Sequence, residues 1–133
     1  MTNTAKKSLA GELLIPVYYE DTDFSGYVFH ANFLKYFDRA REELLGRERL
    51  RDMFANGRHF VVKEAQIHYH KPLTHGDTMR VHTRIDHDHA VILHCHHSIH
   101  RLSDGEKAVT ALVQLVMVNA RGLPLRVPTD LLA

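Results

Sequence analysis

Residues 17–45, VYYEDTDFSGYVFHANFLKYFDRAREELL, decide the fold, because they place an acidic, glycine-containing loop directly before an amphipathic helix. The residues from Glu12 to Tyr19 are rich in β-branched and aromatic side chains, which predicts a strand. After the loop, apolar side chains recur at the spacing of one helical stripe, and we predict a helix over residues 31–46. Asn32 or His30 is expected to cap it. Strand, polar loop and helix therefore follow one another.

The loop between strand and helix has a composition suited to acyl chemistry. Gly26 can adopt a positive φ, and small polar residues surround it. The first N–H groups of the next helix lack intrahelical acceptors, and the helix dipole adds partial positive charge there. Asp23 lies seven residues before His30, so the loop can bring its carboxylate to the same point. A carboxylate beside amides that polarise a carbonyl favours acyl transfer. The alternative is that Asp21 and Asp23 are ordinary turn residues and His30 a helix cap.

The rest of the chain predicts strands separated by tight turns. Residues 60–70 alternate imperfectly, whereas residues 79–86 alternate cleanly between apolar and polar side chains. Residues 107–118 are apolar on both faces, which predicts a central strand. We therefore predict an α+β fold in which a curved antiparallel sheet of about five strands wraps around one long helix. The predicted core positions of two of the strands are Met79, Val81, Thr83, Ile85, Val91, Leu93, Cys95 and Ile99.

Length and composition fit a single domain. The chain has 133 residues, 44% of them hydrophobic, and we expect one domain over residues 1–133 with residues 1–10 as a flexible N-terminus. A net charge of +1 argues against a nucleic-acid binder. Glu12 interrupts the apolar run near the N-terminus, and no stretch is long enough to span a membrane. With Cys95 as the single cysteine, we expect a cytoplasmic protein.

A longer signature includes this loop. It runs Tyr-x-Asp-Thr-Asp-x-x-Gly-x-Val-x-His, continues into an aromatic helix start, and ends with an acidic residue before Arg-Ala-Arg. The matching residues are Tyr19, Asp21, Thr22, Asp23, Gly26, Val28, His30, Asn32, Phe33, Tyr36, Asp38, Arg39, Ala40 and Arg41. In this signature the chain resembles the hotdog-fold acyl-CoA thioesterases of the 4-hydroxybenzoyl-CoA thioesterase-like group, which includes the Tol-Pal-associated acyl-CoA thioesterases. The resemblance covers about residues 12–128, including a turn at Pro72, Gly76 and Asp77.

The resemblance implies a reaction and roles for the loop residues. The reaction is hydrolysis of a short-chain aliphatic or aromatic acyl-CoA to free acid and CoA, without a cofactor beyond the CoA of the substrate. Asp23 is then the nucleophile or the general base. His30 contributes an amide, a positioning side chain or both. The residues implied to shape the loop or the oxyanion site are Tyr19, Asp21, Gly26, Val28 and Ala31.

Four further residues are weaker candidates. Glu64 either reaches the site or is an ordinary strand-surface carboxylate. Arg101, Arg126 and Lys71 either bind the phosphates of CoA or are solvated surface residues.

Histidines recur in i, i+2 pairs, which within a strand project from one face and can chelate a metal. We expect no metal site, because only one thiolate is available and the related enzymes are metal-free. The pairs are His68 and His70, His87 and His89, and His94 and His96.

The resemblance also implies a homodimer or tetramer. A single sheet around one helix has exposed edges, which pairing with a second subunit removes. In the family two sheets join edge to edge, with each active site at the interface and the Asp23 loop near the helix start of the partner. Two alternatives to an acyl-CoA thioesterase stay open. One is a non-catalytic acyl-CoA-binding or scaffold protein, and the other is a thioesterase that acts on acyl carrier protein.

Overall fold

Five antiparallel strands and two helices form the part of the chain that the structure, a computed structural model, describes, residues 7–133. In chain order the elements are β1 (Lys7–Pro16), a 3-10 turn (Tyr19–Asp21), α1 (Asn32–Leu45), α2 (Arg47–Ala55), β2 (Arg58–Tyr69), β3 (Thr78–His87), β4 (Ile92–Arg101) and β5 (Lys107–Asn119). The strands form one sheet in the order β1-β3-β4-β5-β2. This confirms the predicted α+β architecture. Neither helix of this part is long and apolar enough to cross a membrane.

The core lies between α1 and the inner face of the sheet. Helix α1 packs mainly against β1 and β3, and Phe33, Phe37 and Ala40 are buried on its inner side. The predicted core positions of β3 and β4 are buried as well, except Val91, which is half-buried and precedes β4. Burial raises the pKa of the Cys95 thiol to about 12, so this cysteine is a core residue and not a nucleophile at neutral pH.

A polar group that the sequence analysis did not identify is also buried in this core. His97, 3% exposed, stacks on the Phe37 ring at 4.6 Å. Its Nε2 lies 3.1 Å from a guanidinium nitrogen of Arg41, and its Nδ1 lies 3.0 Å from the Thr83 hydroxyl. Because the guanidinium is only a donor, Nε2 accepts and Nδ1–H donates to Thr83. Burial, with the charge of Arg41 and of His96 adding to it, lowers the pKa of His97 to about 3.

The ends of the first elements differ from the sequence expectation. We expected a flexible N-terminus over residues 1–10, and this expectation is wrong for residues 7–10, which belong to β1. Residues 1–6 lie outside the described part of the chain. Strand β1 ends at Pro16 and not at Tyr19, because it ends where its pairing with β3 ends, at Thr78. The helix predicted over residues 31–46 is confirmed as α1. Helix α2 follows it after Gly46 and was not predicted.

The two edge strands, β1 and β2, differ in how suitable they are for pairing. Strand β1 contains Gly11 and ends in Pro16, and proline cannot donate to a neighbouring strand. Strand β2 has 12 residues without proline, and most are exposed. Five residues of β2 pair with buried residues of β5 and therefore face the same side of the sheet as the helices. They are Phe60, Val62, Ala65, Ile67 and Tyr69.

Candidate active site

The loop before α1 is held in shape by its own backbone. The Asp23 amide donates to the Tyr27 carbonyl at 2.9 Å, and the Gly26 amide donates to the Asp23 carbonyl at 3.0 Å. Gly26 has a φ of +85°, which an L side chain rarely adopts. The Val28 amide donates to the Leu73 carbonyl at 2.8 Å. The loop is therefore attached to the segment between β2 and β3.

Asp23 presents its carboxylate to solvent with one oxygen already occupied. The Ser25 amide and the Ser25 hydroxyl both donate to Asp23 Oδ1, at 2.8 Å and 2.5 Å. These bonds lower the pKa of Asp23 below its usual value of 3.8, and the charge of His30 adds to the effect. Asp23 Oδ2 accepts no hydrogen bond from the residues that the structure describes. The carboxylate is thus ionised at neutral pH and has a free oxygen.

Amides at the start of α1 have no protein acceptor. Within residues 7–133 the His30 and Ala31 amides donate to no carbonyl or side chain. Ala31 occupies the cap position without a side-chain hydrogen bond. The expected cap by Asn32 or His30 is therefore wrong: Asn32 is the first helical residue, and its side-chain amide donates to the Asp21 carbonyl at 2.9 Å. Donors of this kind can stabilise a developing oxyanion.

His30 is fixed by contacts with its neighbours. Its carbonyl accepts a hydrogen bond from the Tyr69 hydroxyl at 3.0 Å. Its ring lies 4.6 Å from the Phe29 ring and 6.4 Å from the Tyr69 ring. The end of β2 therefore positions the peptide at the start of α1.

An open cavity of about 370 Å³ joins these groups. Of the residues predicted for the site, Asp23, Val28, His30 and Lys71 line it. Apolar contacts come from Phe33 and Leu73, and the other lining residues are Ser25, Tyr27, Tyr69, His70 and Pro72. The cavity thus combines a free carboxylate and a lysine with His30 and an apolar wall, whereas the predicted residues Gly26 and Ala31 do not line it.

Tyr19 and Asp21 do not line the cavity. The Asp21 carboxylate accepts from the Tyr18 amide at 2.8 Å, and its carbonyl accepts from the Phe29 amide at 2.9 Å. Tyr19 is exposed, with its ring edge against His75. Beneath them Tyr36 is buried, and its hydroxyl has no hydrogen-bond partner in the described part of the chain. Burial raises the pKa of Tyr36, and the neighbouring Asp21 adds to this effect.

The weaker candidates Glu64, Arg101 and Arg126 do not line the cavity. Glu64 pairs with Gln114 on the outer face of the sheet. The Arg101 guanidinium donates to Asp104 at 2.8 Å and to the Pro72 carbonyl at 2.7 Å, and it faces Asp77 at 3.5 Å. Arg101 therefore fixes the segment that carries the cavity wall. Arg126 lies near the other end of the sheet, where the adjacent Val127 bonds to Ala90.

The sequence analysis did not identify Ser25 and Tyr69 as site residues. A serine two positions after an aspartate is typical of an Asx turn, and that signal was present in the loop. The sequence signal for Tyr69 is weaker. Tyr69 is the last residue of β2 and lies on the same face of the strand as Ile67. Its contact with His30 depends on the tertiary fold.

The histidine pairs do not converge on a metal site. No group of three or more possible ligands comes together among residues 7–133. His94 lies 2.9 Å from Asp88, and His96 lies 3.2 Å from Asp86. His87 and His89 do not share a strand, because β3 ends at His87.

Comparisons with known proteins indicate the family of this chain. Residues 17–133 match the sequence model of the thioesterase-like superfamily. The chain is 38% identical over 69 residues to an acyl-CoA thioesterase of Helicobacter pylori, covering 52% of this chain and 51% of that protein. It therefore spans about half the length of the curated relatives it matches.

Two solved structures cover more of the chain. A probable thioesterase of Bartonella henselae shares 31% identity with a TM-score of 0.76, over 90% of this chain and 99% of that one. A thioesterase of Thermus thermophilus, solved with coenzyme A and zinc, shares 29% identity with a TM-score of 0.76, over 90% of this chain and 92% of that one. These similarities confirm the predicted hotdog arrangement of sheet and helix.

Proposed function

The chain belongs to the thioesterase-like superfamily, and we propose that it hydrolyses the thioester of a short-chain aliphatic or aromatic acyl-CoA to a free acid and CoA. One observation carries this proposal. An ionised carboxylate with a free oxygen, Asp23, lines the same cavity as His30, whose amide has no protein acceptor, and the adjacent Ala31 amide has none either. Relatives named as acyl-CoA thioesterases support the same activity.

In the proposed reaction the thioester oxygen lies against the amides of His30 and Ala31. As the carbonyl carbon becomes tetrahedral, negative charge develops on this oxygen, and the helix amides stabilise it. The C–S bond then breaks, and CoA leaves as a thiolate that takes up a proton. The lowered pKa of Asp23 keeps its carboxylate available at neutral pH.

Two routes for Asp23 are compatible with this site. In one, Asp23 Oδ2 attacks the carbonyl carbon and forms a mixed anhydride, which water then hydrolyses. In the other, Asp23 takes a proton from a water molecule that attacks the carbon directly. Both consume one water and release one acid and one thiol. Neither uses a cofactor.

Lys71 is the best placed residue for CoA within one subunit, because it lines the cavity. The guanidinium of Arg101 already faces two carboxylates and a carbonyl. We therefore assign Arg101 to the loop structure and Lys71 to the phosphates of CoA.

The active assembly in this proposal is a homodimer that pairs β2 with β2 of a second copy, or a tetramer of two such dimers. The β2 edge supports it, because Val61, Val62 and Tyr69 are 42%, 54% and 52% exposed there. Exposed apolar side chains on an unpaired strand favour pairing with another strand.

The test is release of free thiol from a panel of acyl-CoA substrates: acetyl, butyryl, hexanoyl, benzoyl, hydroxybenzoyl and phenylacetyl. Wild type is measured beside Asp23→Asn and beside Asp52→Asn, a matched loss of one exposed carboxylate on α2. We expect turnover of at least one substrate by wild type and Asp52→Asn but not by Asp23→Asn. Saturable binding of acyl-CoA without turnover by wild type would instead support a binding protein. If wild type hydrolyses thioesters of acyl carrier protein but none of the acyl-CoA panel, the substrate is an acylated carrier protein and not an acyl-CoA.

A further inference from the structure

Ser25 donates two hydrogen bonds to the same oxygen of Asp23. The Ser25 amide lies 2.8 Å from Asp23 Oδ1, and the Ser25 hydroxyl lies 2.5 Å from the same atom. The Tyr27 amide donates to Ser25 Oγ at 3.4 Å, so the hydroxyl accepts from the loop backbone while its hydrogen points at the carboxylate. Both Asp23 and Ser25 line the active-site cavity. The loop therefore holds a carboxylate with one oxygen bonded twice, whereas Oδ2 accepts no bond from residues 7–133.

The two bonds from Ser25 favour the charged form of Asp23. A hydrogen bond to an ionised oxygen is shorter and about twice as strong as one to a neutral carbonyl oxygen. The Ser25 hydroxyl lowers the pKa of Asp23 more than the Ser25 amide does, which agrees with this preference. Ser25 therefore stabilises the free carboxylate more than any neutral derivative of it.

In the nucleophilic route of the proposed reaction the charge on Asp23 Oδ1 changes twice. When Oδ2 attacks the thioester carbon, a C–O bond forms, the C–S bond breaks and CoA leaves as a thiolate. Oδ1 is now the carbonyl oxygen of a mixed anhydride, and its bonds from Ser25 weaken. The first step therefore removes the charge that Ser25 stabilises.

The second step restores this charge. Water adds to a carbonyl carbon of the anhydride, and the bond from this carbon to the bridging oxygen breaks. The products are the free acid and the Asp23 carboxylate, with two protons released, one of which the CoA thiolate takes up. Negative charge therefore returns to Oδ1 only when the anhydride is hydrolysed.

We propose that Ser25 is a catalytic residue of this second step, in which its hydroxyl and amide stabilise the negative charge that returns to Asp23 Oδ1. The proposal rests on the proposed function and deepens it, because it assigns Asp23 to the nucleophilic route. It also divides the reaction between two sets of donors. The His30 and Ala31 amides act on the thioester oxygen, whereas Ser25 acts on the carboxylate of Asp23.

This role predicts opposite effects on the two steps. A group that stabilises the carboxylate more than the anhydride slows formation of the anhydride and accelerates its hydrolysis. The ratio kcat/KM includes the steps up to the release of CoA, whereas kcat also includes hydrolysis of the anhydride. A hydroxyl that only maintained the shape of the loop would affect both constants in the same direction.

The test removes the hydroxyl and keeps the amide. In Ser25→Ala we expect kcat for the best acyl-CoA substrate to fall roughly tenfold and KM to fall with it, so that kcat/KM is unchanged or higher. Stopped-flow measurement of free thiol should show a burst of one CoA per active site before the slow steady state. Ser103→Ala removes an exposed hydroxyl in the turn between β4 and β5 and should match wild type.

A second measurement detects the intermediate directly. Hydroxylamine added during turnover converts the anhydride to a hydroxamate at Asp23, which mass spectrometry of the digested chain counts. We expect the fraction of modified Asp23 to be several times higher in Ser25→Ala than in wild type. Ser25→Thr keeps a hydroxyl and should restore both kcat and the wild-type fraction. Ser25→Gly also lacks the hydroxyl and replaces Ser25→Ala if that variant does not fold.

The outcomes separate the inference from the proposed function. Equal losses of kcat and kcat/KM in Ser25→Ala without a burst would place the hydroxyl before CoA release and overturn the inference. A Ser25→Ala enzyme that matches wild type in both constants and in modified Asp23 would overturn it as well. So would active wild type without a hydroxamate in any variant, since the general-base route forms no anhydride. Wild type that hydrolyses no acyl-CoA would overturn the proposed function itself.

Discussion

The two ends of α1 differ in how their polar groups are satisfied. At the first residues the His30 and Ala31 amides have no acceptor in the described part of the chain, and Asp23 is exposed with a free oxygen. In the second half Arg41 and His97 are buried and bonded to each other. Unsatisfied groups are available to bind a substrate, whereas satisfied buried groups hold elements in place. The comparison predicts that substitutions at the first end affect catalysis and that those at the second end affect stability.

The largest effect on stability is expected from His97→Leu. Leucine fills a similar volume but leaves the Arg41 guanidinium and the Thr83 hydroxyl without their partner. The free energy of unfolding should fall by about 3 kcal/mol, measured by urea denaturation at pH 7.5. The matched variant His82→Leu, on the exposed outer face of β3, should change it by less than about 0.5 kcal/mol. If both variants lose the same free energy of unfolding, the buried His97 does not contribute more to stability than an exposed histidine.

The second expectation concerns pH. The folded-state pKa of His97 is about 3, against 6.5 for an unperturbed histidine. Between these values the unfolded chain binds one more proton than the folded chain, so stability is fully present above pH 6.5 and is lost as the pH falls. This group contributes a slope of about 1.4 kcal/mol per pH unit. His97→Gln does not titrate and should show a shallower decline between pH 6.5 and 5, and parallel curves would contradict this.

The third expectation compares two glycine turns, one in the candidate active-site loop and one in a hairpin far from it in sequence. Gly26→Ala forces an L side chain to a φ of +85°, which costs about 1 kcal/mol of stability. An added Cβ meets no atom within 4 Å at Gly26 or at Gly105, so the cost is conformational in both places. Gly105→Ala, in the hairpin between β4 and β5, should lose similar stability. Only Gly26→Ala should also lower kcat, because the turn at Gly26 orients Asp23, and a comparable drop in Gly105→Ala would count against that role.

A smaller effect is expected for binding of the CoA portion. Lys71→Gln removes one cation from the cavity wall, and KM for acyl-CoA should rise about fivefold, the equivalent of about 1 kcal/mol. Lys107→Gln, at the exposed start of β5, is the control and should leave KM unchanged. If raising the salt concentration has the same effect on KM in Lys71→Gln as in wild type, Lys71 is not the phosphate contact.

Metal removal should have the smallest effect. Possible metal ligands do not cluster in residues 7–133, and the proposed chemistry needs only a carboxylate, amides and water. Dialysis against EDTA is expected to leave kcat/KM within twofold. A loss that zinc restores would show that the reaction depends on a metal.

The features of the molecule that depend on local sequence patterns could be predicted from the sequence. The strand, loop and helix of residues 17–45 follow from periodicity and turn residues, and Asp23, Val28 and His30 of this stretch line one cavity. The strand alternation of residues 79–86 also predicted the buried face correctly.

What the sequence did not show depends on contacts distant in the chain. His97 occupies a core position of β4, but an imidazole there is stable only because Arg41, 56 residues away, pairs with it. Residues 7–10 have little strand preference and extend β1 by pairing with β3. Helix α2 has one short apolar stripe, Leu50, Met53 and Phe54, which is too brief to distinguish a helix from a loop. Local propensity alone decides none of these.

The most direct test of the account measures kcat/KM and the free energy of unfolding on one preparation of Asp23→Asn. The asparagine keeps the shape of the side chain and its bonds from Ser25 but loses the charge and the nucleophilic oxygen. We expect kcat/KM for the best acyl-CoA substrate to fall by on the order of a thousandfold or more, with unfolding changed by less than about 0.5 kcal/mol. Activity near that of wild type, or a loss of activity explained by unfolding, would contradict the assignment of Asp23 as the catalytic carboxylate.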